Sequence, residues 1–503
     1  MVIRIWQFLL RKMSPAAFAA IGVFLITVFA LFIPPYIGMA DNGDYARILN
    51  GLYVKDPTYV SQYFGYFIKT YGIFQNFNEN SASIFSTQSF FIKTATLLNQ
   101  LFHPNTDTFD IRYQAGMYLI LYTTAIYLFT EALTWKMSNK LGYLVATVVI
   151  FILGDTGYTA YFNSFYGESV VLIMSVFMVA FGLLLYRKRY NDYLMIVLFV
   201  LSAIVLTASK QQNAPVGIIV AIIGIFFVYI RKRGMYRIVT TTLLISLLCV
   251  GVGTYVLIPK EFVNINKYHA MTRGVLMVTD NPEKTLESFG IDKQFAILKE
   301  SEYFDAYTMI DLDSELLQTE FYNKYGFGSI LKYYVLHPTQ AGQMLNLAAR
   351  DGFSIRPHAM GSYEKSVGKP FGAQTKFFSG YSLLKDNFTP KTFGFVLIWI
   401  LIIIGLYMPS FITALRKKLW RNAIRLPLIV MLIGIGLSGI FVSIIGAGDA
   451  DLAKHEFLFT LIFDLVSLMT LVDLFAKRLW IQEEVESESE PRIVQGVGGV
   501  MHA

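Results

Sequence analysis

Two aspartates lie three residues apart, directly after the first long apolar run of this chain. The apolar run extends from Ala16 to Gly38, and the next peptide reads Asp-Asn-Gly-Asp-Tyr-Ala-Arg, with its aspartates at Asp41 and Asp44. Carboxylates are costly at the edge of a bilayer, and those found there usually face a cavity or a pathway. A carboxylate can also take the proton of a hydroxyl group. The spacing therefore indicates an enzyme that acts at a membrane surface on a lipid-carried substrate.

The composition is that of a polytopic membrane protein. The chain has 503 residues, of which 55% are hydrophobic and only 15% are charged. Several apolar runs reach the ~20 residues that a helix needs to cross a bilayer, which excludes a soluble globular protein. The net charge of +7 comes from basic residues at the ends of apolar runs, so it does not indicate nucleic acid. The single cysteine, Cys249, excludes an intrachain disulfide.

Apolar runs and their breaks predict an all-α integral membrane protein of about ten transmembrane helices with a helical extracytoplasmic insertion. Ser14-Pro15 is a typical helix start and Pro259 a typical stop. The predicted spans are Ala16–Gly38, Tyr113–Leu133, Leu141–Leu153, Glu168–Tyr186, Tyr193–Ala208, Ala214–Ile230, Ile238–Ile258, Phe393–Leu415, Ile424–Ile445 and Phe457–Phe475.

Charge sets the orientation, because Lys and Arg beside membrane spans stay cytoplasmic. Basic residues crowd alternate loops, whereas the short loops of the other side carry only Lys210 and Lys454. Both termini are therefore predicted to be cytoplasmic and the active site extracytoplasmic. Gly38-Met39-Ala40 resembles a cleavage site, but the apolar run before it is longer than the ~7–15 residues of a signal peptide. We expect an uncleaved anchor.

The same pattern divides the chain into four parts. Residues 1–258 hold about seven helices and a first outer loop, 39–112. Residues 259–392 form a mainly helical extracytoplasmic loop domain, residues 393–476 three further helices, and residues 477–503 a disordered cytoplasmic tail. The first outer loop is rich in aromatic residues between 53 and 91, which is typical of an interfacial belt and leaves room for sugar stacking.

Polar residues on the predicted outer side have the composition needed for sugar transfer. A sugar on a phosphate carrier needs a base for the acceptor hydroxyl and a cation for the leaving phosphate. Asp41 or Asp44 is the candidate base, and Lys210 the candidate cation. The predicted substrate-binding residues are Asp155, Glu168, Lys210, Gln211, Tyr45, Arg356 and His358, with Arg350 a further rival for the phosphate.

Each of these residues also has a purely structural interpretation. An aspartate before Tyr45 caps a helix, Asp155 suits a turn between glycines, and Glu168 favours a helix dipole. Lys210 can extend from a helix end. Asp449, Asp451, His455 and Glu456 have the composition of a metal site, but their spacing favours an ordinary polar loop. No cofactor is therefore predicted with certainty, and a divalent metal stays open.

The motif after the first span resembles the Asp-Glu-x-x-Tyr-Ala pattern that follows the first helix of GT-C glycosyltransferases. That resemblance implies a GT-C-like fold, a polyprenyl-phosphate sugar donor and a catalytic base at Asp41. Asn42 replaces the family's glutamate, and Asp44 is the residue that can take over its role. Acids in the family's second outer loop are similar to Asp155 and Glu168. The chain also resembles Gram-positive membrane proteins assigned to envelope-glycan synthesis.

The leading hypothesis is a glycosyltransferase that moves a sugar from a polyprenyl-phosphate carrier to a cell-envelope glycan or polymer, with inversion at the anomeric carbon. Its partners are the donor, the acceptor and the lipid bilayer. A transporter or flippase of lipid-linked saccharide is the alternative, although the two related halves with broken helices that such proteins show are not evident. A scaffold ranks third, since it would not need acidic groups in three outer loops.

Overall fold

A computed structural model describes residues 13–49, 51–74, 84–305 and 307–479 of the chain. The predictions of a cytoplasmic amino-terminal end and of a disordered tail fall mostly on residues 1–12 and 480–503, which lie outside the described residues. All helices, strands and contacts named for this protein lie within the four described ranges.

Ten apolar helices form the body of the described chain. Seven are long and apolar enough to cross a membrane, an eighth is a bent pair, and two are shorter. They are α1 (Pro15–Leu31), α2 (Arg112–Thr134), α3 (Asn139–Leu153), α4 (Glu168–Tyr186), α5 (Asp192–Thr207), α6 (Gln211–Val228), α7 (Gly234–Val256), α8 (Phe393–Arg416), α9 (Arg425–Ala447) and α10 (Phe457–Phe475).

The prediction of an all-α membrane protein is confirmed, with two local differences. Helix α1 ends at Leu31, not at Gly38, because Pro34 and Pro35 follow and a residue before proline disfavours helix. Helix α3 is short because the chain breaks at Gly154 and continues as a second helical stretch, Thr156–Asn163, bent by 51° from the first. The break brings polar residues between the two pieces.

Helix α4 occupies the centre of the bundle. In its most apolar stretch 89% of the residues are buried, against 22% in α7 and 17% in α8. It packs against α2, α5 and α10. A helix that is apolar on every side belongs in the interior, so the polar residue at its start, Glu168, also lies inside the protein.

The described parts of two long segments, residues 32–111 and 257–392, lie on one side of the bundle, here called the loop-bearing side. Strand β1 (Ile37–Met39) of the first pairs antiparallel with β5 (Met360–Tyr363) of the second, and this pairing ties the segments together. Strands β2 (Leu52–Tyr53), β3 (Thr70–Ile73) and β4 (Thr108–Asp110) form a three-stranded antiparallel sheet. The helices of these segments are Gln88–Phe102, Lys260–His269, Pro282–Ser288, Glu315–Glu320, Phe327–Leu336, Pro338–Asp351 and Gly380–Phe388.

A buried ion pair joins the second long segment to the bundle. Lys385 donates to Asp464 of α10 at 2.6 Å, and the hydroxyl of Tyr158 donates to the same carboxylate at 2.5 Å. Both charged side chains are almost fully buried. Asp464 lies in the middle of a span, where an unpaired carboxylate is costly, and the hydroxyl and the ammonium satisfy it.

Removing one partner of this pair should destabilise the protein. Lys385→Met leaves a buried carboxylate without its cation, which typically costs ~3–5 kcal/mol. We expect a clearly lower denaturation midpoint in detergent. Lys391→Met is the matched control, because the Lys391–Asp386 pair is 37% and 47% exposed and should contribute less than ~1 kcal/mol. Equal midpoints for the two variants would contradict this assignment.

Candidate functional site

A cavity of about 310 Å³ opens among the helix ends on the loop-bearing side. Its wall contains both charged or amide groups and apolar side chains. The polar lining includes Asp44, Arg47, Glu168, Lys210, Gln211, Gln212, Lys454 and His455. The apolar lining includes Tyr255, Ile258, Phe262, Phe327, Phe441, Val442 and Ile445.

Asp41 folds the turn that presents Asp44 to this cavity. One carboxylate oxygen of Asp41 accepts the backbone N–H groups of Gly43 at 2.8 Å and Tyr45 at 3.2 Å, and the other accepts the hydroxyl of Tyr59. Gly43 has a φ of 101°, a conformation that glycine adopts without strain. Burial raises the pKa of Asp41 to about 6, despite these hydrogen bonds, which lower it. Asp41 is 4% exposed and is not among the cavity-lining residues.

Asp44 faces the cavity and is paired with two cations. Its carboxylate lies 2.5 Å from the ammonium of Lys454 and 2.9 Å from the guanidinium of Arg47. The same Lys454 nitrogen lies 2.6 Å from Asp451, so it bridges two carboxylates. Burial alone raises the pKa of Asp44, but the charges of Lys454 and Arg47 outweigh it and hold that pKa well below its ordinary value. Asp44 therefore stays ionised.

Glu168 and Lys210 form a second ion pair in the cavity wall, at 2.7 Å. Glu168 begins α4, and its side chain is 1% exposed. Its Oε1 atom accepts from Lys210, whereas its Oε2 atom has no hydrogen-bond partner among the described residues. A buried polar atom without a partner costs ~1–3 kcal/mol. The free oxygen is therefore a place where a ligand hydroxyl gains an acceptor.

Besides Asp41, four of the predicted substrate-binding residues do not line the cavity. Asp155 caps the short helix Thr156–Thr159 through Gly157, accepts both the amide and the hydroxyl of Ser382 at 2.9 Å, and lies 3.9 Å from Arg356. Arg356 donates to backbone and hydroxyl oxygens beside it. These two residues join the break in α3 to the second long segment, which is a structural role.

Tyr45 and His358 are the other two. The Tyr45 hydroxyl donates to the backbone oxygen of Met39 at 2.8 Å, and its ring is buried against Tyr166. His358 is exposed and its ring lies 6.1 Å from that of Phe64. Neither lines the cavity. Of the predicted site residues, the structure brings Asp44, Glu168, Lys210 and Gln211 together.

The prediction from sequence missed Arg47 and Lys454, and it treated His455 as part of an ordinary loop. The signal for Lys454 was present, since it and Lys210 are the cations of the short loops on the predicted outer side. In that loop Asp449 pairs with Arg273 at 2.6 Å. Among the described residues, no three or more His, Cys, Asp or Glu side chains come together in an arrangement for a metal ion.

The chain matches a known protein family over almost its whole length. Residues 4–491 match the model of the family described as the YfdI N-terminal transmembrane domain. The chain belongs to this family. It is similar to the uncharacterized protein YfdI of Escherichia coli K12, with 23% identity over 408 residues, covering 79% of this chain and 83% of that protein. No significant match was found among solved structures. Membership agrees with the multi-pass membrane architecture of the helices.

Lys454 bridges Asp44 and Asp451, and this contact is here called the charge bridge. It predicts that the stability of this YfdI-family protein depends on pH. Asp44 has a lowered pKa, so its ionised form stabilises the fold above the ordinary value of 3.8 and loses that effect as pH falls further. Lys454→Met removes its main cation. We expect a lower denaturation midpoint near pH 7, and a difference from the native protein that shrinks by about pH 3. Lys454→Arg keeps the charge and is the control. A difference independent of pH would contradict the bridge.

Proposed function

We propose that the chain is a membrane glycosyltransferase that moves a sugar from a polyprenyl-phosphate carrier to a hydroxyl of a cell-envelope acceptor on the outer face. One observation carries the proposal: charged groups from four separate connections line a single cavity together with apolar side chains. A lipid-linked sugar combines the matching parts, which are an isoprenoid chain, a phosphate and a polar ring.

The apolar wall suits the isoprenoid chain. Tyr255 lies in the last turn of α7 and Ile258 follows that helix, whereas Phe441 and Val442 belong to α9. Helix α7 is mostly unburied within the protein, and Tyr255 is 58% exposed. Tyr255 therefore belongs both to the cavity wall and to the exposed surface of a candidate membrane helix. Each CH₂ group of an isoprenoid chain that is buried there contributes ~0.8 kcal/mol.

The cations suit the phosphate. Arg47, Lys210 and Lys454 line one cavity, each with a carboxylate partner that holds it in place. Ammonium and guanidinium groups have several N–H donors, so each can bond a phosphate oxygen while it keeps its carboxylate. Fixed positive charge stabilises the phosphate as it leaves with the bonding electrons.

The remaining polar groups suit the sugar and the acceptor. The free Oε2 atom of Glu168 accepts a sugar hydroxyl, and Gln211 adds amide donors and acceptors. Asp44 holds Arg47 and Lys454 and orients the acceptor hydroxyl from the same side. The hydroxyl oxygen then attacks the anomeric carbon opposite the phosphate, which inverts the configuration. Asp41 supports this arrangement by folding the turn.

Replacement of Asp44 tests the proposal in cells. Asp44→Asn should lower the sugar content of the envelope about 10²-fold or more, while lipid-linked donor persists on the outer leaflet. Asp41→Asn should cause a smaller loss, because an amide oxygen still accepts the N–H groups of the turn. Asp386→Asn, at an exposed residue, is the control with the native phenotype.

Two outcomes would overturn the proposal. An Asp44→Asn protein that is inserted in the membrane and leaves the envelope sugar unchanged would remove Asp44 from the site. A variant that strands the donor on the inner leaflet would show a flippase, since a transferase acts only after the donor has crossed.

A further inference from the structure

His455 is held in the cavity wall by two contacts with one side chain. The Nε2 amide of Gln212 donates to the backbone oxygen of His455 at 3.0 Å, and Oε1 of Gln212 lies 2.7 Å from Nδ1 of the ring. Both residues line the cavity. Gln212 lies at the start of α6, and His455 lies two residues before the start of α10. The positions of these two bundle helices therefore set the distance between Gln212 and His455.

These two contacts fix which ring nitrogen carries the proton. A backbone carbonyl can only accept, so it must face the NH₂ group of Gln212, and the amide oxygen must face Nδ1. An amide oxygen can only accept, so Nδ1 carries the hydrogen. In the neutral ring, Nε2 therefore has the lone pair. Gln212 binds the other side of the ring, which leaves Nε2 for a ligand in the cavity.

The surroundings keep the ring neutral. Burial, followed by the positive charges of Lys210 and Lys454, lowers the pKa of His455 well below the ordinary value of 6.5. Arg47 acts in the same direction, and Asp44 opposes them. At pH 7 the imidazole is therefore an unprotonated base.

Asp44 is a poorer candidate for accepting a proton. It is paired with Lys454 and Arg47, and these charges hold its pKa well below the ordinary value, so it resists protonation. Glu168 already accepts from Lys210 through one of its carboxylate oxygens. His455 lies beside these cations without being paired to one of the carboxylates by hydrogen bond or ion pair among the described contacts.

We propose that Nε2 of His455 is the general base of the transfer, with Gln212 as the residue that positions its ring. The inference rests on the proposed glycosyltransferase function. The acceptor oxygen forms a bond to the anomeric carbon, and the bond from that carbon to the phosphate oxygen breaks. The electron pair leaves with the phosphate, and the hydroxyl proton passes to Nε2. The imidazolium then returns the proton to the released phosphate or to water.

Donor binding should strengthen this base. The phosphate of the donor brings negative charge to Lys210 and Lys454, which offsets the two charges that disfavour imidazolium. The ring pKa in the donor complex is then higher than in the free protein. The kinetic constants separate these states, because kcat/KM reports the free protein and kcat the complex. Activity should fall at low pH in both constants, with the fall in kcat at the higher pH.

The experiment uses the full chain in lipid vesicles. The donors are synthetic polyprenyl-phosphate glucose, galactose, mannose and N-acetylglucosamine, and the acceptor is an envelope fraction from cells that lack the protein. We expect kcat/KM of the native chain to fall only at a pH well below 6.5, because the pKa of His455 in the free protein lies well below that value. His455→Ala should lower kcat ~10²–10⁴-fold and abolish that pH dependence. Added imidazole should restore activity in proportion to its neutral fraction.

Two further variants separate chemistry from folding. Gln212→Met has a similar volume but lacks both hydrogen bonds, so kcat should fall about tenfold with KM little changed. His103→Ala replaces an exposed histidine of the first long segment and should behave as native. Denaturation midpoints identify any variant that has not folded, and imidazole rescue is not expected for a purely structural loss.

The outcomes are distinct. A native chain that transfers sugar, with a His455→Ala variant of equal kcat and unchanged pH profile, would overturn the role of His455 and leave the transferase function standing. Loss of the acid limb in Glu168→Gln, but not in His455→Ala, would assign the base to Glu168 instead. A native chain that transfers no sugar from any of the four donors would overturn both proposals.

Discussion

The cavity depends on one constraint, which is that charged groups at the edge of a membrane must be paired inside the protein. Lys454 is 4% exposed, and its ammonium is shared by Asp44 and Asp451 at 2.5 and 2.6 Å. A buried ammonium without these partners would be strongly destabilising. The bridge therefore fixes the first long segment against the connection between α9 and α10, and the cavity lies beside it. Each cation of the cavity is held in this way by a carboxylate from another part of the chain or from the same turn.

The surrounding architecture keeps that bridge in register. Asp41 folds the turn before Asp44, and the pairing of β1 with β5 holds the start of the same segment against the second long segment. Arg273 of the second long segment donates two hydrogen bonds, at 2.6 and 2.9 Å, to Asp449 in the connection between α9 and α10, and so holds that connection. Glu168 needs no such support, because it is the first residue of the central helix. The polar lining of the cavity is thus set by the ends of bundle helices together with the turn of the first long segment that carries Asp44 and Arg47.

Much of the bundle could be predicted from sequence, since uninterrupted apolar runs have few alternatives to a membrane helix. The candidate site was harder to predict from sequence. Asp44, Glu168 and Lys210 lie at the ends of apolar runs, and their shared location follows from topology. Asp41 and Asp155 carry the same signal, yet both accept backbone N–H groups within turns. A carboxylate that folds a turn and one that faces a ligand are alike in sequence. The Gln212–His455 contact joins residues 243 positions apart, and no local pattern specifies it.

A structure of the full chain with a polyprenyl phosphate bound tests the central claim most directly. The account predicts a phosphate within hydrogen-bond distance of Lys210 and Lys454, with the isoprenoid chain against Tyr255 and Phe441. A phosphate bound elsewhere, with the cavity closed or filled by protein side chains, would contradict it.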